Sequence, residues 1–170
     1  DNAVTVAMAM GCSTNAIIHL IAMARRAGIR LTMDDLDKKG RVIPLLANIR
    51  PSGNNYLMED FFYAGGILSL MNSLTNKLNL EEITVTGSKL GEIIVGKETL
   101  NRDIIRSLDN PIYKEGSLAV LKGNLAPDGC VIKPAACDKK FLKHKGPAIV
   151  FDSYPDMKKI IDSDDLDVTE

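Results

Sequence analysis

The sequence has almost no net charge. Lysine and arginine number 21 against 22 aspartate and glutamate residues, so it lacks the clustered basic excess that a nucleic-acid surface needs and the polybasic face that suits an anionic membrane. It also lacks an apolar run long enough to span a bilayer. The segment from Ala16 to Ala24 is apolar except for His19, and Arg25-Arg26 end it. The opening DNAVTVAMAM carries no basic leader, so no signal peptide is expected. Three cysteines, an odd number and widely spaced, fit a reducing compartment better than a disulfide framework. These absences point to a cytoplasmic protein that binds neither nucleic acid nor membrane. The apolar start without Met and the close on DSDDLDVTE read as cuts through a longer chain.

What is present suits a packed α-plus-β protein. The length of 170 residues allows one or two small domains, and 45% hydrophobic residues supply a core. Ser13 is a good N-cap for a helix over Ala16 to Ala27, with Gly28 as its C′ residue. That helix is apolar on nearly all faces and is expected to be buried. In LTMDDLDKKG, Thr32 caps, Asp34 and Asp35 sit in the first turn, and Lys38-Lys39 lie near the end. RPSGNNY is a turn by composition. YLMEDFFYAGG and ILSLMNSLTNKL have helical spacing. The texture then changes. ITVTG and EIIVG are short and β-branched, SLAVLKGNLAPDGCVIKPAA predicts two strands around a Pro/Gly loop, and GPAIVFDS predicts another strand. Asp152 or Ser153 can cap a helix in YPDMKKIID. The change places a domain boundary near residues 107–117.

Five places carry groups with chemical potential. Cys12, at a helix N-terminus, would tend toward thiolate if it were reactive. With no second cysteine near it, and with Cys130 and Cys137 separated by six residues rather than the two of a metal knuckle, a small buried residue is the favoured reading. Ser13, Thr14 and Asn15 stand where a helix dipole and free amides can hold a carboxylate or phosphate; an ordinary cap is the alternative. His19 shares a helix face with Asn15, but its apolar neighbours favour a core histidine over an acid or base, and His144 reads as a loop residue. Glu59 and Asp60 offer too few oxygens for a metal and read as a solvated or capping pair. In GNLAPDGCV, Asp128-Gly129 signals a tight reversal; the loop is either a plain hairpin or presents Asn124 and Asp128 to a ligand.

Taken together, GCSTNAIIHLIAMARRAG, LTMDDLD, PSGNNYLMEDFFYAGG, GNLAPDGCVIK and HKGPAIVFDS resemble, in order and spacing, the dihydroxy-acid and sugar-acid dehydratase family. The stretch VIKPAACDKKFLKHKGPAIVFDSYPDMKKIID most resembles the aldonate dehydratases of the arabinonate type. The resemblance implies an internal fragment of a lyase that removes water from a 2,3-dihydroxy acid, giving a 2-oxo acid through an enol. It implies an iron–sulfur cluster acting on the leaving 3-hydroxyl, a magnesium ion holding the carboxylate and 2-hydroxyl, and a serine alkoxide taking the C2 proton. A weakly acidic C2 proton and a poor leaving group both call for such metal assistance.

The resemblance puts the cluster cysteines, magnesium carboxylates and serine base outside this chain, so no catalytic or metal residue is assigned within it. Cys-Asp-Lys in ACDKKFL is similar to a family metal motif but lies in the wrong region, and Cys12 stands where relatives often have glycine. What carries over is the helix mouth, Ser13, Thr14 and Asn15, facing substrate or packing beside the active site, with Asn124 and Asp128 as weaker candidates near a domain interface. The implied fold is α/β: residues 1–110 close a larger, mainly helical domain, and 111–170 open a smaller β-barrel-like swivelling domain. A homodimer and a small sugar-acid or dihydroxy-acid substrate are implied for the parent. The alternatives are a branched-chain dihydroxy-acid dehydratase of amino-acid biosynthesis and a non-catalytic module binding a small carboxylate.

Overall fold

The computed structural model describes residues 1–163 and Leu166. The chain divides into two compact units, Asp1–Cys137 and Asp138–Glu170. The first contains helices α1 (Asn2–Met10), α2 (Asn15–Arg26), α3 (Met33–Val42), α4 (Met58–Tyr63), α5 (Gly66–Ser73) and α6 (Leu90–Ile94), followed by strands β1 (Ala119–Gly123) and β2 (Ala126–Ile132). The second contains helix α7 (Tyr154–Ile160) and a short 3-10 turn, Lys139–Phe141.

Local signals fix most helix ends. Gly11 leaves α1 at φ 84°, a left-handed conformation that glycine adopts without steric cost. Gly28 ends α2 as C′, with its N–H donating to the Arg25 carbonyl and the Ile29 N–H to the Ala24 carbonyl, a Schellman arrangement. Thr32 begins α3 in a reciprocal cap. Its Oγ1 accepts from the Asp35 N–H at 3.2 Å, and the Asp35 carboxylate accepts from the Thr32 N–H at 3.0 Å. Asp60 accepts from the Leu57 N–H at 2.7 Å, so the acidic pair at the start of α4 contains a cap. Ser153 caps α7 through the Asp156 N–H.

The centre of the first unit is an extended segment, residues 43–49, rather than a helix. Ile43, Leu45, Leu46, Ala47 and Ile49 are all buried. Backbone groups buried this deeply must be paired, and they are. Leu46 and Ala47 donate to the Ala9 carbonyl at the end of α1, Leu45 to the Tyr113 carbonyl and Asn48 to the Ile104 carbonyl. Arg106 and Ile112 donate back to the carbonyls of Leu46 and Leu45. Val4, Met8, Leu36, Phe61, Leu70 and Leu74 pack around this spine.

Strands β1 and β2 form an antiparallel pair with Val120 opposite Val131 and an irregularity between Leu121 and Gly123. The pair is fastened to the helices. The Ser117 N–H donates to the Met8 carbonyl, the Gly116 N–H to the Gly40 carbonyl and the Val120 N–H to the Asp37 carboxylate at 2.8 Å. Lys122 pairs with Asp34 at 2.6 Å.

Several expectations change. EIIVG is not a strand: residues 90–94 form α6, because the Lys89 N–H is capped by Glu92 and the turn buries Leu90 and Ile94. In ITVTG only an isolated bridge forms, Ile83 with Lys89. The hairpin reverses at Asn124-Leu125, not at Asp128-Gly129, which lie within β2. GPAIVFDS is not a strand, since it has no neighbouring strand to pair with among the described residues. None of the described residues of the second unit is buried. Helix α2 is not buried either: Ile17 alone is enclosed, while Ile18 is 68% and Met23 60% exposed. Its period shows apolar faces, but the rest of the unit covers one side only, through Ile17 and the half-buried Ala16, Leu20 and Ile21.

Candidate functional site

The reversal after α1 builds the site. Gly11 turns the chain out of α1, the Cys12 N–H returns to the Ala7 carbonyl at 3.2 Å, and Ser13 and Thr14 emerge exposed at the mouth of α2. The spine approaches from another direction. Beyond Ile49 it enters the turn Arg50-Pro51-Ser52-Gly53, with a cis bond before Pro51. This turn is clamped: the Gly53 N–H donates to the Ile49 carbonyl at 2.7 Å, and the buried Asn48 side chain donates to the Asp103 carbonyl and accepts from the Asn54 N–H. Lys133, the residue after strand β2, supplies the third wall, and its Nζ donates to the Gly11 carbonyl at 3.1 Å.

Between them lies a pocket of about 420 Å3 lined by Met10, Gly11, Cys12, Ser13, Thr14, Ile49, Arg50, Pro51, Met58 and Lys133. Its charged lining residues are both cationic. A larger groove of about 730 Å3 runs between α1, α2 and α3, but mainly aliphatic side chains form its floor and its charges are of both signs. The smaller pocket has the convergent polar groups that a binding site needs.

Of the residues expected from sequence, Ser13 and Thr14 line this pocket, whereas Asn15 lines an adjoining apolar depression with Ile17, Ile18, Ile21, Met33 and Val131. Regular helix runs from Asn15, but Thr14 already has helical φ −57° and ψ −29° and makes no side-chain cap bond, so the capping hydroxyl is that of Ser13, as expected. Ser13 closes the mouth: its Oγ accepts from the Asn15 N–H at 3.2 Å and its carbonyl from the Ala16 N–H, while the Thr14 carbonyl accepts from Ile17. The Asn15, Ala16 and Ile17 amides of α2 are therefore engaged within the chain. Asn124 and Asp128 are exposed on the hairpin and do not line this pocket.

Cys12 is enclosed, 6% exposed, with Sγ 4.0 Å from the Ser117 hydroxyl. Burial pushes its thiol above the ordinary value, outweighing the Ser117 contact and the positive charge of Lys133. The tendency toward thiolate expected of a helix N-terminus is reversed, and the small-packing-residue reading holds. The same burial lowers Lys133. His19 is exposed on α2, not a core histidine, because the helix turns that side away from the unit.

Sequence reasoning missed Arg50 and Lys133. Lys133 ends the GNLAPDGCVIK stretch and Arg50 immediately precedes PSGNNY. A charge at the edge of a turn or an apolar strand was the available signal. The iron–sulfur cluster and magnesium ion that the resemblance implies do not fit the residues present. Among the described residues no three His, Cys, Asp or Glu side chains converge on a metal position, and no reaction step is assigned to those groups in this chain. Among the described residues no helix is long and apolar enough to cross a membrane.

Residues 1–93 match the N-terminal model, and residues 103–170 the C-terminal model, of the dihydroxy-acid/6-phosphogluconate dehydratases. The chain belongs to this family. It is 47% identical to a 6-deoxy-6-sulfo-D-gluconate dehydratase of Pseudomonas putida, over 99% of the chain and 29% of that protein. It is 42% identical to an L-arabinonate dehydratase of Rhizobium leguminosarum, over 100% of the chain and 30% of that protein. It is also 42% identical to a dihydroxy-acid dehydratase of Methanococcoides burtonii, over 98% of the chain and 31% of that protein. The chain thus spans about three tenths of the length of these relatives.

Proposed function

We propose that this chain is an internal part of a hydro-lyase that dehydrates a 2,3-dihydroxy sugar acid to a 2-oxo acid, by C2 proton abstraction and loss of the 3-hydroxyl. The observation that carries this reading is the pocket itself. Ser13, Thr14 and Arg50 come from the part matching the N-terminal family model and Lys133 from the part matching the C-terminal one. Hydroxyl and cationic donors on an otherwise apolar wall suit a small hydroxy acid. In this reading Ser13 and Thr14 contact substrate through their hydroxyls and Asn15 borders them, with Asn124 and Asp128 at the edge of the site. Residues 1–110 are the C-terminal part of the larger dehydratase domain, and residues 111–170 the start of a β-barrel-like swivelling domain. The family matches change over earlier, residues 1–93 matching the N-terminal model and residues 103–170 the C-terminal one.

The groups that break bonds are contributed by the rest of the parent, including the ligands of an iron–sulfur cluster and Mg2+. The parent is a cytoplasmic homodimer in this reading. A branched-chain dihydroxy acid is the second reading, favoured by the dihydroxy-acid dehydratases at 42–45% identity. Turnover by the full-length protein, followed as 2-oxo acid formation from aldonates and from branched dihydroxy acids, tests both. Conversion of an aldonate supports the first and conversion of the branched acid alone supports the second. The isolated 170-residue chain should dehydrate neither and should gain no cluster absorbance on reconstitution. Turnover by that chain would sink the fragment reading.

A further inference from the structure

The carbonyls that end α1 receive their donors from distant segments. The Ala7 carbonyl accepts from the Cys12 N–H and, at 3.4 Å, from the Ser117 hydroxyl. The Met8 carbonyl accepts from the Ser117 N–H, and the Ala9 carbonyl from the Leu46 and Ala47 N–H groups. Gly11, where the chain leaves the helix, takes the Lys133 Nζ on its carbonyl at 3.1 Å, across 122 positions of sequence. The C-terminal end of a helix favours a cation. Helices α2 and α3 have theirs in their own last turns, Arg25 and Arg26 in one and Lys39 and Arg41 in the other, whereas α1 has no basic residue there. Lys133 brings that charge from the end of the hairpin, and no carboxylate lines its pocket to draw it elsewhere. A charge-assisted bond of this kind is roughly twice as strong as a neutral one.

The hold falls on a single peptide group. The Gly11 carbonyl and the Cys12 N–H share one plane, whose N–H is tied back to Ala7 and whose oxygen is tied to Lys133. Gly11 has little room on its other side, where an added Cβ would lie 3.1 Å from the Ser52 Oγ and 3.3 Å from the Leu45 Cδ1. Ser13 follows two residues later, so its Cα stands within about 8 Å of the Gly11 Cα, and a tilt of the held plane passes to the Ser13 and Thr14 hydroxyls with little slack. The mouth's own bonds, from Ser13 to Asn15 and Ala16 and from Thr14 to Ile17, are internal to it and move with it. The pinned peptide lies in the part matching the N-terminal family model and the pinning lysine in the part matching the C-terminal one.

We propose that Lys133 is a positioning residue, which pins the Gly11–Cys12 peptide and thereby aims the Ser13 and Thr14 hydroxyls at the substrate. This rests on the dehydratase reading above. The test uses the full-length, cofactor-loaded protein and whichever aldonate or branched dihydroxy acid it turns over. Lys133→Met keeps an unbranched apolar stem and removes the ammonium. A misplacement of about 1 Å can cost about 100-fold in rate, so kcat should fall tenfold or more. Lys133→Arg, which keeps a cationic donor, should come within threefold of the wild type. A purely structural role would lower the unfolding midpoint and leave kcat intact in the folded protein, which overturns the proposal. A rise in KM at unchanged kcat marks the loss of a direct substrate contact and overturns it too, as does a Lys133→Arg variant no better than Lys133→Met. If Lys133→Met does not fold, Lys133→Gln takes its place with the same expectations. If the wild type dehydrates no acid, the dehydratase reading fails by itself, and crystal structures of the wild type and the variant decide the positioning. A Ser13 hydroxyl displaced against Pro51 by about 1 Å or more upholds it, and a smaller displacement overturns it.

Discussion

The turn that carries Arg50 tolerates no side chain at Gly53, and Gly53→Ala tests how the site is held. A Cβ added there would stand 2.7 Å from the Asn48 Cα, with the Asn48 carbonyl carbon and Oδ1 closer still. Carbon atoms in contact prefer about 3.5–4.0 Å, and the obstacle is backbone, so the turn must move by more than half an ångström. Overpacking of this kind costs roughly 1–3 kcal/mol. The movement also disturbs the Gly53 N–H bond to Ile49 at 2.7 Å and the Asn54 N–H bond to the Asn48 side chain at 3.3 Å, each worth about 1 kcal/mol. The expected total is about 3–5 kcal/mol.

Gly28→Ala is the matched control. Gly28 has φ +74° but nothing within 4 Å of an added Cβ, so it pays left-handed strain alone, about 1–2 kcal/mol. Urea unfolding of the full-length protein, followed by a probe in this region, separates the two. With a slope of roughly 2 kcal/mol/M, Gly53→Ala should lower the midpoint by about 1.5–2.5 M and Gly28→Ala by less than about 1 M. A Gly53→Ala midpoint no lower than that of Gly28→Ala would refute the claim that close approach to Asn48 holds the turn.

Cys12 should resist iodoacetamide at pH 7.5 in the native protein, as read by peptide mass spectrometry, and labelling as fast as in urea would contradict its burial. Because its folded thiol titrates above the ordinary value, the stability linked to it is complete below the unfolded value and is lost as pH rises through the folded one. Lys133→Met removes a charge that favours the thiolate, so it should make Cys12 slower still to label. Thr32→Ala should cost about 1 kcal/mol through loss of the α3 cap, read from the unfolding midpoint. The Thr32 hydroxyl and N–H hold Asp35 below the usual carboxylate range. The linked stability is present above the unfolded carboxyl value and fades as pH falls through the folded one, and an NMR titration of the variant should move Asp35 back toward its ordinary value.

What was legible in the sequence is what local chemistry decides. Thr32 with Asp35, Gly28 after α2 and Ser153 before α7 act within a few residues, and each sits where its residue type predicts. The central spine was not legible. Residues 43–49 are enclosed on both sides, so they show neither a helical nor an alternating period, and their partners, Ala9, Ile104 and Tyr113, are distant in sequence. The hairpin shows the boundary between the two cases. Its strands follow from apolar runs, but its turn does not follow from Asp128-Gly129, because the register shifts after Leu121 and pairs Gly123 with Ala126, which leaves Asn124-Leu125 to reverse the chain.

The site divides in the same way. The Ser13-Thr14 mouth was readable because a cap motif precedes an apolar run. That same motif satisfies part of its own backbone, with Ser13 taking the Asn15 and Ala16 N–H groups, which removes those amides from the list of anion donors. The burden then falls on Arg50 and Lys133, whose meaning depends on tertiary structure twice over. It depends on three segments meeting at Gly11, and on the fact that none of those segments brings an acid with it. A lysine after an apolar strand is ordinary in sequence. A half-buried lysine fixed to a carbonyl, beside an arginine and without a carboxylate, leaves a charge for something outside the chain to neutralise.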